Sequence, residues 1–147
     1  MKGIKIVNRE LTSKEIEHVN TGFDKLSIEE GIALESTQQM SFVAMKDNKL
    51  VGCASGLAHK NGDRYSGWFH LTDLFIDKEF RDQGIGSDLL EALEHHTKAI
   101  GVQNIWLWTS GAATIRFYNR HGYRQFTEME NWYSDGSSRI GFRKALS

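Results

Sequence analysis

A strand that runs through a glycine-bearing turn straight into a helix constrains this chain more than any other feature. Residues 71–87 read LTDLFIDKEFRDQGIGS. The apolar run 71–76 predicts a strand, residues 77–80 a short charged turn, and the stretch from about Gly86 a helix. Between turn and helix stand Arg81, two spacers, Gly84, Ile85 and Gly86. Glycines lack a Cβ and let a ligand approach the backbone closely. The first N–H groups of a helix have no intrahelical partners. With the aligned peptide dipoles, equivalent to roughly half a positive charge, they make an anion site suited to a diphosphate. Arg81 adds a full charge beside it. A dinucleotide fingerprint would need a third glycine where Leu89 stands, and a triphosphatase loop would need Gly-Lys-Ser/Thr; neither pattern is present.

The remaining sequence sets wide bounds. A length of 147 residues fits one domain, 1–147, with a real core. The 18 basic and 19 acidic side chains leave a net charge of −1, which gives no general attraction to nucleic acid or to an anionic membrane. No apolar run approaches the ~20 residues of a membrane span. The opening MKGIKIVNRE is too polar for a signal peptide, and a single cysteine suits a reducing cytoplasm, so a cytoplasmic location is expected. Cys53, in VGCASG, reads as a buried strand thiol. The histidines show no zinc-like spacing, and no metal is expected.

Residues 4–8 (IKIVN) read as a first strand. Thr12 with Glu15 fits a capping box for a helix to about Lys25, and Ser27 with Glu30 a second, short helix to about Glu35. Residues 41–46 and 50–59 read as strands joined by an Asp47-Asn48 turn, and residues 60–67 as a polar loop before a strand over 68–77. Leu89, Leu90, Leu93, Thr97 and Ile100 share one face of the next helix, which Gly101 ends. A strand over 104–109, a short helix over 112–121 and a strand pair over 123–129 and 138–146 complete the order βααββ-β-α-β-α-ββ.

Two motifs in this order resemble the GNAT superfamily of acyl-CoA-dependent N-acyltransferases. One is Asp73-Leu74-Phe75-Ile76 followed, after four residues, by Arg81-Asp82-Gln83-Gly84-Ile85-Gly86, similar to the family's Q/R-x-x-G-x-G/A. The other is Thr114-Ile115-Arg116-Phe117-Tyr118-Asn119-Arg120-His121-Gly122-Tyr123, similar to the family's A-x-x-F-Y-x-x-x-G-F. The resemblance implies an α/β fold: a single mixed, mostly antiparallel sheet with splayed central strands, flanked by helices. It implies acetyl-CoA as co-substrate. The backbone of Leu74, Phe75 and Ile76 would pair with the pantetheine arm, and Gln83, Gly84, Ile85, Gly86 and Ser87, with Arg81 and Asp82, would hold the pyrophosphate. Asp82 departs from the family, which often has glycine there. So does Gly111, where the family often has an asparagine contacting pantetheine; Ser110 or Asn119 is the substitute.

Acyl transfer to an amine needs a proton acceptor for the amine, a donor for the oxyanion and a proton for the departing thiolate. The family's tyrosine near the thioester sulfur corresponds to Tyr118, which implies a thiolate-protonating role; an ordinary phenol is protonated at neutral pH. The acid that many relatives carry corresponds to Asp73, the leading base. In an unbroken strand Asp73 shares a face with Leu71 and Phe75, away from His70, Thr72 and Leu74. His70 is the second base candidate, with His59, Glu35 and Tyr133 left open. Trp106 and Trp108 read as core. Arg139, after the 131–138 loop, reads as a surface arginine able to pair with an acidic substrate group.

The expected activity is transfer of acetyl directly to a primary amine of a small molecule or peptide, in a ternary complex and without a covalent acyl-enzyme. Two other classes compete: a non-catalytic acyl-CoA-binding module, which needs neither Asp73 nor Tyr118, and a protein-interaction module using the aromatic surface. The resemblance leaves a homodimer possible, but no self-complementary patch is legible.

Overall fold

The computed structural model describes residues 3–147 and divides into an N-terminal segment ending at Leu34 and a larger unit, Glu35–Ser147. In the first, residues 4–8 form no strand, contrary to expectation. Apolar alternation over so short a run does not make a strand without a backbone ladder. The helix α1 spans Ser13–Glu29 and starts at the predicted capping box. The Glu15 N–H donates to Thr12 Oγ1 at 3.2 Å, and the Thr12 N–H donates to Glu15 Oε1 at 2.8 Å. Arg9 donates to both Glu15 oxygens at 2.8 Å and, with the Thr12 N–H, holds that carboxyl down to about 2. The second helix expected from Ser27 does not exist. Propagating α1 through Ser27 adds a hydrogen bond per residue, whereas a new helix would incur the nucleation cost again. Glu35 instead opens a strand.

The larger unit holds β1 (Glu35–Lys46), β2 (Lys49–Asn61), β3 (Arg64–Ile76), α2 (Ile85–Ala99), β4 (Asn104–Thr109), α3 (Ala112–Arg120), β5 (Arg124–Met129) and β6 (Arg139–Ala145). A 3₁₀ turn, Lys78–Phe80, links β3 to α2. The six strands form one sheet in the order β1-β2-β3-β4-β6-β5. All neighbours are antiparallel except β3 and β4. Asp47 and Asn48 make the expected two-residue turn, both with positive φ (49° and 63°). The polar stretch 60–67 is no loop. It is mostly ladder, with Asn61 opposite Arg64 across a Gly62-Asp63 turn. Its polar side chains stand on a solvated hairpin tip, and their polarity says nothing about the backbone pairing beneath.

The helix face predicted for α2 is the buried one: Leu89, Leu90 and Leu93 pack with Ala54, Ala58, Phe69, Leu71 and Ile105, and Thr97 is buried on the same face. Thr97 Oγ1 donates to the Leu93 carbonyl at 2.9 Å, so this buried hydroxyl is satisfied. Glu94 ties α2 to the far strands. It accepts from Tyr123 Oη at 2.7 Å and from Lys144 Nζ at 2.9 Å. Among the described residues no helix is long and apolar enough to cross a membrane.

Two irregularities of β3 shape the site. Leu71 lies opposite Gly56 and Asp73 opposite Ser55, so Thr72 has no partner and forms a bulge. Phe69 and Leu71 point into the core before the bulge, and Leu74 and Ile76 pack on it afterwards. Asp73 and Phe75 share a face as expected, but it lies opposite Leu71, which corrects the expectation that Leu71 shares it too. The second irregularity is a parting of strands. β3 pairs with β4 only at Trp68↔Asn104, Phe69↔Ile105 and His70↔Trp106; residues 71–76 and 107–109 then diverge. Cys53, opposite Phe75, is half-buried rather than buried.

Glycine at position 56 is a packing requirement. A Cβ there would collide with the His70 carbonyl oxygen and the Phe69 ring. Gly56→Ala is therefore expected to destabilise the protein by roughly 2–3 kcal/mol. A urea titration checks this as a lower midpoint at unchanged slope.

Candidate functional site

Where β3 and β4 part, a cleft of about 710 Å³ opens between the end of β3, the start of α2 and α3. Of the residues singled out in the sequence, Leu74, Phe75, Ile76, Arg81, Asp82, Gly84, Ile85, Gly86, Ser87 and Tyr118 line it. Gln83 instead lines a neighbouring cavity of about 540 Å³ beneath β1, with its side-chain Nε2 donating to the Glu79 carbonyl at 3.4 Å. Asn119 is exposed and outside the lining; its carbonyl accepts the Gly122 N–H at 3.2 Å. Asp73 also stands outside the lining, on the face away from the core.

The turn into α2 is built for an anion. Gly84, the residue before the helix, has φ +82°. The first helical bond runs from the Asp88 N–H to the Gly84 carbonyl at 3.1 Å. The amides of Ile85, Gly86 and Ser87 thus have no intrahelical acceptor. A Cβ on Gly86 would meet Phe117 at an ordinary 3.7 Å, so the bare backbone here leaves room for a ligand rather than relieving a clash. Arg81 Nε donates to the Ile76 carbonyl at 3.0 Å, which anchors its guanidinium where β3 ends.

Arg116 and Arg120 also line the cleft, a contribution the sequence reading missed. Their spacing of four on α3 is the signal that could have found them. His121 was missed as well: a 2.9 Å hydrogen bond joins its Nε2 to Ser87 Oγ and links the ends of α3 and the start of α2. The His121 ring rests on Phe117, with centroids 4.6 Å apart.

Tyr118 is 5% exposed and held by Phe117, Tyr123 and Phe142, with ring centroids 5.3, 5.4 and 6.3 Å away. Burial pushes its phenol up to about 12, so it is a proton donor throughout the neutral range. Tyr123 is shifted further upward by burial and by the Glu94 carboxylate. On the opposite face, the Thr72 hydroxyl lies 2.8 Å from Asp73 Oδ2 and 3.2 Å from the Ser55 carbonyl. His70 is shifted downward, first by burial, then by His59 and Arg139.

Residues 37–125 match the Acetyltransferase (GNAT) domain family. The chain belongs to the GNAT acetyltransferase family. It is 33% identical over 103 residues to an uncharacterized N-acetyltransferase of Methanocaldococcus jannaschii, covering 67% of this chain and 62% of that protein. It is 31% identical over 104 residues to N-alpha-acetyltransferase 30 of Schizosaccharomyces pombe, covering 67% of each. The chain spans about three-fifths of the length of the first curated relatives it matches. In fold it resembles the crystal structure of an acetyltransferase from Bacillus cereus ATCC 14579, with a TM-score of 0.77, 24% identity, and coverage of 95% of this chain and 97% of that one. The splayed mixed sheet read from the GNAT motifs is thus the observed fold.

Two departures from the GNAT motifs now have a backbone context. Gly111, just before α3, has φ +87° and ψ 135°, where an asparagine would be strained. Asp82, where the family often has glycine, has φ +62°. An aspartate in this left-handed region carries about 1 kcal/mol of strain, and its charge opposes the α2 amides. Asp82→Gly is expected to raise Tm by roughly 2–4 °C. It should also increase the further rise that inorganic pyrophosphate produces; both are read by thermal denaturation with and without pyrophosphate.

Proposed function

We propose that this protein is an acetyl-CoA-dependent N-acetyltransferase that transfers acetyl directly to a primary amine of a small molecule or peptide, with both substrates bound together. The observation that carries this reading is one cleft. In it an unpaired strand edge, the free amides of a helix N-terminus, three arginines and a buried tyrosine converge. A long, thin ligand with phosphates at one end and a thioester at the other fits that sequence of groups.

Bound acetyl-CoA supplies the activated acyl group and the thiol that leaves. The amides of Ile85, Gly86 and Ser87, with Arg81, Arg116 and Arg120, neutralise phosphate oxygens. The free edge of β3 at Leu74, Phe75 and Ile76 offers backbone groups to the amide-bearing arm as an added strand would. The Ile76 carbonyl is already committed to Arg81. Tyr118 gives its proton to the departing sulfur. Asp73, on the far face of the gap, takes the proton of the amine directly or through water. His70, made less basic by burial, His59 and Arg139, is neutral at pH 7 and is the second acceptor at the apex of the gap. Holding the two reactants at that apex supplies much of the rate enhancement. Cys53 takes no part. A cytoplasmic enzyme suits the lone thiol.

Calorimetric titration with acetyl-CoA tests the donor site. Saturable binding is expected in the wild type and none in Gly86→Glu, which puts bulk and negative charge among the α2 amides. Undiminished binding in that variant would remove the site assignment.

Tyr118→Phe keeps the packing and removes the donor. It should lower kcat roughly 10- to 100-fold while leaving acetyl-CoA affinity unchanged. Because the Tyr118 phenol is pushed up to about 12, it stays protonated well above neutrality. The wild-type pH–rate profile should therefore show no alkaline fall from this group below about pH 10. Wild-type turnover in Tyr118→Phe would take the residue out of the mechanism.

A further inference from the structure

The sheet face opposite α2 carries a continuous run of rings that ends on an arginine. His70 stacks on Trp106, with centroids 3.8 Å apart and planes 12° from parallel. Trp106 meets Trp108 edge-on at 5.8 Å. The guanidinium of Arg139 lies over both Trp108 and Trp132, 5.1 Å from each ring centroid. These are cation–π distances, and they fix the arginine's position. Among the described residues, no carboxylate stands within ion-pairing distance of Arg139 and no acceptor takes its N–H groups. Five donors in a rigid fork are thus held in place without an anion.

The run begins at the apex of the gap. His70 and Trp106 are the last pair joining β3 to β4. The Arg139 charge is close enough to help pull the His70 imidazole down, after burial and His59. Among the described residues no acid stands within ion-pairing distance of His59, His70 or Arg139, so the Arg139 charge is presented beside two indole faces on this side of the sheet. With the donor in the cleft on the α2 and α3 side, the amine must reach the gap from this face.

We infer that Arg139 is the anchor for a carboxylate on the amine acceptor, so that the substrates are amines that also carry a carboxylate. The assignment rests on the acetyltransferase reading above. The indoles of Trp108 and Trp132 align the guanidinium for two parallel hydrogen bonds to the carboxylate oxygens. An acceptor lacking that group would leave the arginine without those two hydrogen bonds and so bind less well. The carboxylate has two sources, the α-carboxylate of a free amino acid or an acidic side chain near a peptide N-terminus.

Thiol release from acetyl-CoA is measured with matched acceptors: amino acids against their amides, and C-terminally amidated peptides with Asp or Glu against Asn or Gln at the second and third positions. In one arm the carboxylate member should lead in kcat/KM by about ten- to a hundredfold. Arg139→Gln should bring that member down to its neutral partner, and Arg139→Lys should keep part of the lead. Acetyl-CoA affinity, measured calorimetrically, should not change in either variant. A second readout needs no turnover. Glutarate should shift the indole N–H signals of Trp108 and Trp132 saturably in NMR spectra, whereas glutaramide should not, and Arg139→Gln should abolish the shift. Equal rates within every pair, or no glutarate shift, overturns the proposal. Failure of the wild type to bind acetyl-CoA would sink the acetyltransferase reading instead, and the glutarate titration alone would then decide Arg139.

Discussion

The parting of β3 from β4 after His70↔Trp106 is the constraint on which the rest of the structure depends. A sheet that kept pairing to Ile76 would have no cleft, and the edge of residues 71–76 would be spent on β4. Left open, the β3 backbone still needs hydrogen-bond partners, because an unpaired peptide group removed from water is costly. Arg81 meets part of that need through the Ile76 carbonyl. The rest faces a cleft that water or an amide-bearing ligand can fill. The parted strands do not come loose because each keeps its other neighbour. β3 is laddered to β2 and β4 to β6, and α2 packs across the first three strands.

Charge decides what that cleft can hold. Three arginines line it together with the start of a fifteen-residue helix, and Asp82 is the acid that opposes them there. Near neutral net charge for the whole chain hides this local imbalance. A diphosphate gains from several donors at once, whereas a neutral ligand would leave arginines and helix amides competing only for water. The Ser87–His121 hydrogen bond adds a mechanical element, since it ties the anion turn to the end of α3. The same helix carries Arg116, Arg120 and Tyr118, so two of the cleft's arginines and the tyrosine are set by one short element braced at its end.

Much of this was legible in the residues. The glycine turn, the helix after it and its buried face followed from spacing and from groups with fixed physical preferences: glycine at positive φ, leucines at helical period, threonine with glutamate as a cap. The failures have physical reasons. The hairpin at Gly62-Asp63 reads as a loop in the sequence because polar side chains say little about backbone pairing at a solvated tip. Residues 4–8 read as a strand by their apolar alternation, which is only half of what a strand needs. Ser27 marked a helix start that propagation of α1 made unnecessary. Arg116, Arg120 and His121 were missed because their role depends on which way α3 faces, a property of tertiary packing.

The face of Asp73 is the most instructive case. In a regular strand this carboxylate would project with Leu71 into a core of leucine and phenylalanine, where an unpaired charge is very costly. One extra residue, Thr72, reverses the alternation. Leu74 and Ile76 then continue the core, and Asp73 emerges on the opposite face with the Thr72 hydroxyl 2.8 Å from its oxygen. Gly56 makes this possible, since any side chain there would collide with the His70 carbonyl just before the bulge. The bulge and the glycine thus separate two chemistries across one strand. Aliphatic side chains, three arginines and the free α2 amides lie toward the helices, while an acid, two histidines and a run of indoles lie on the other side. Two faces of such different chemistry can each take a partner of its own without the two competing for the same surface.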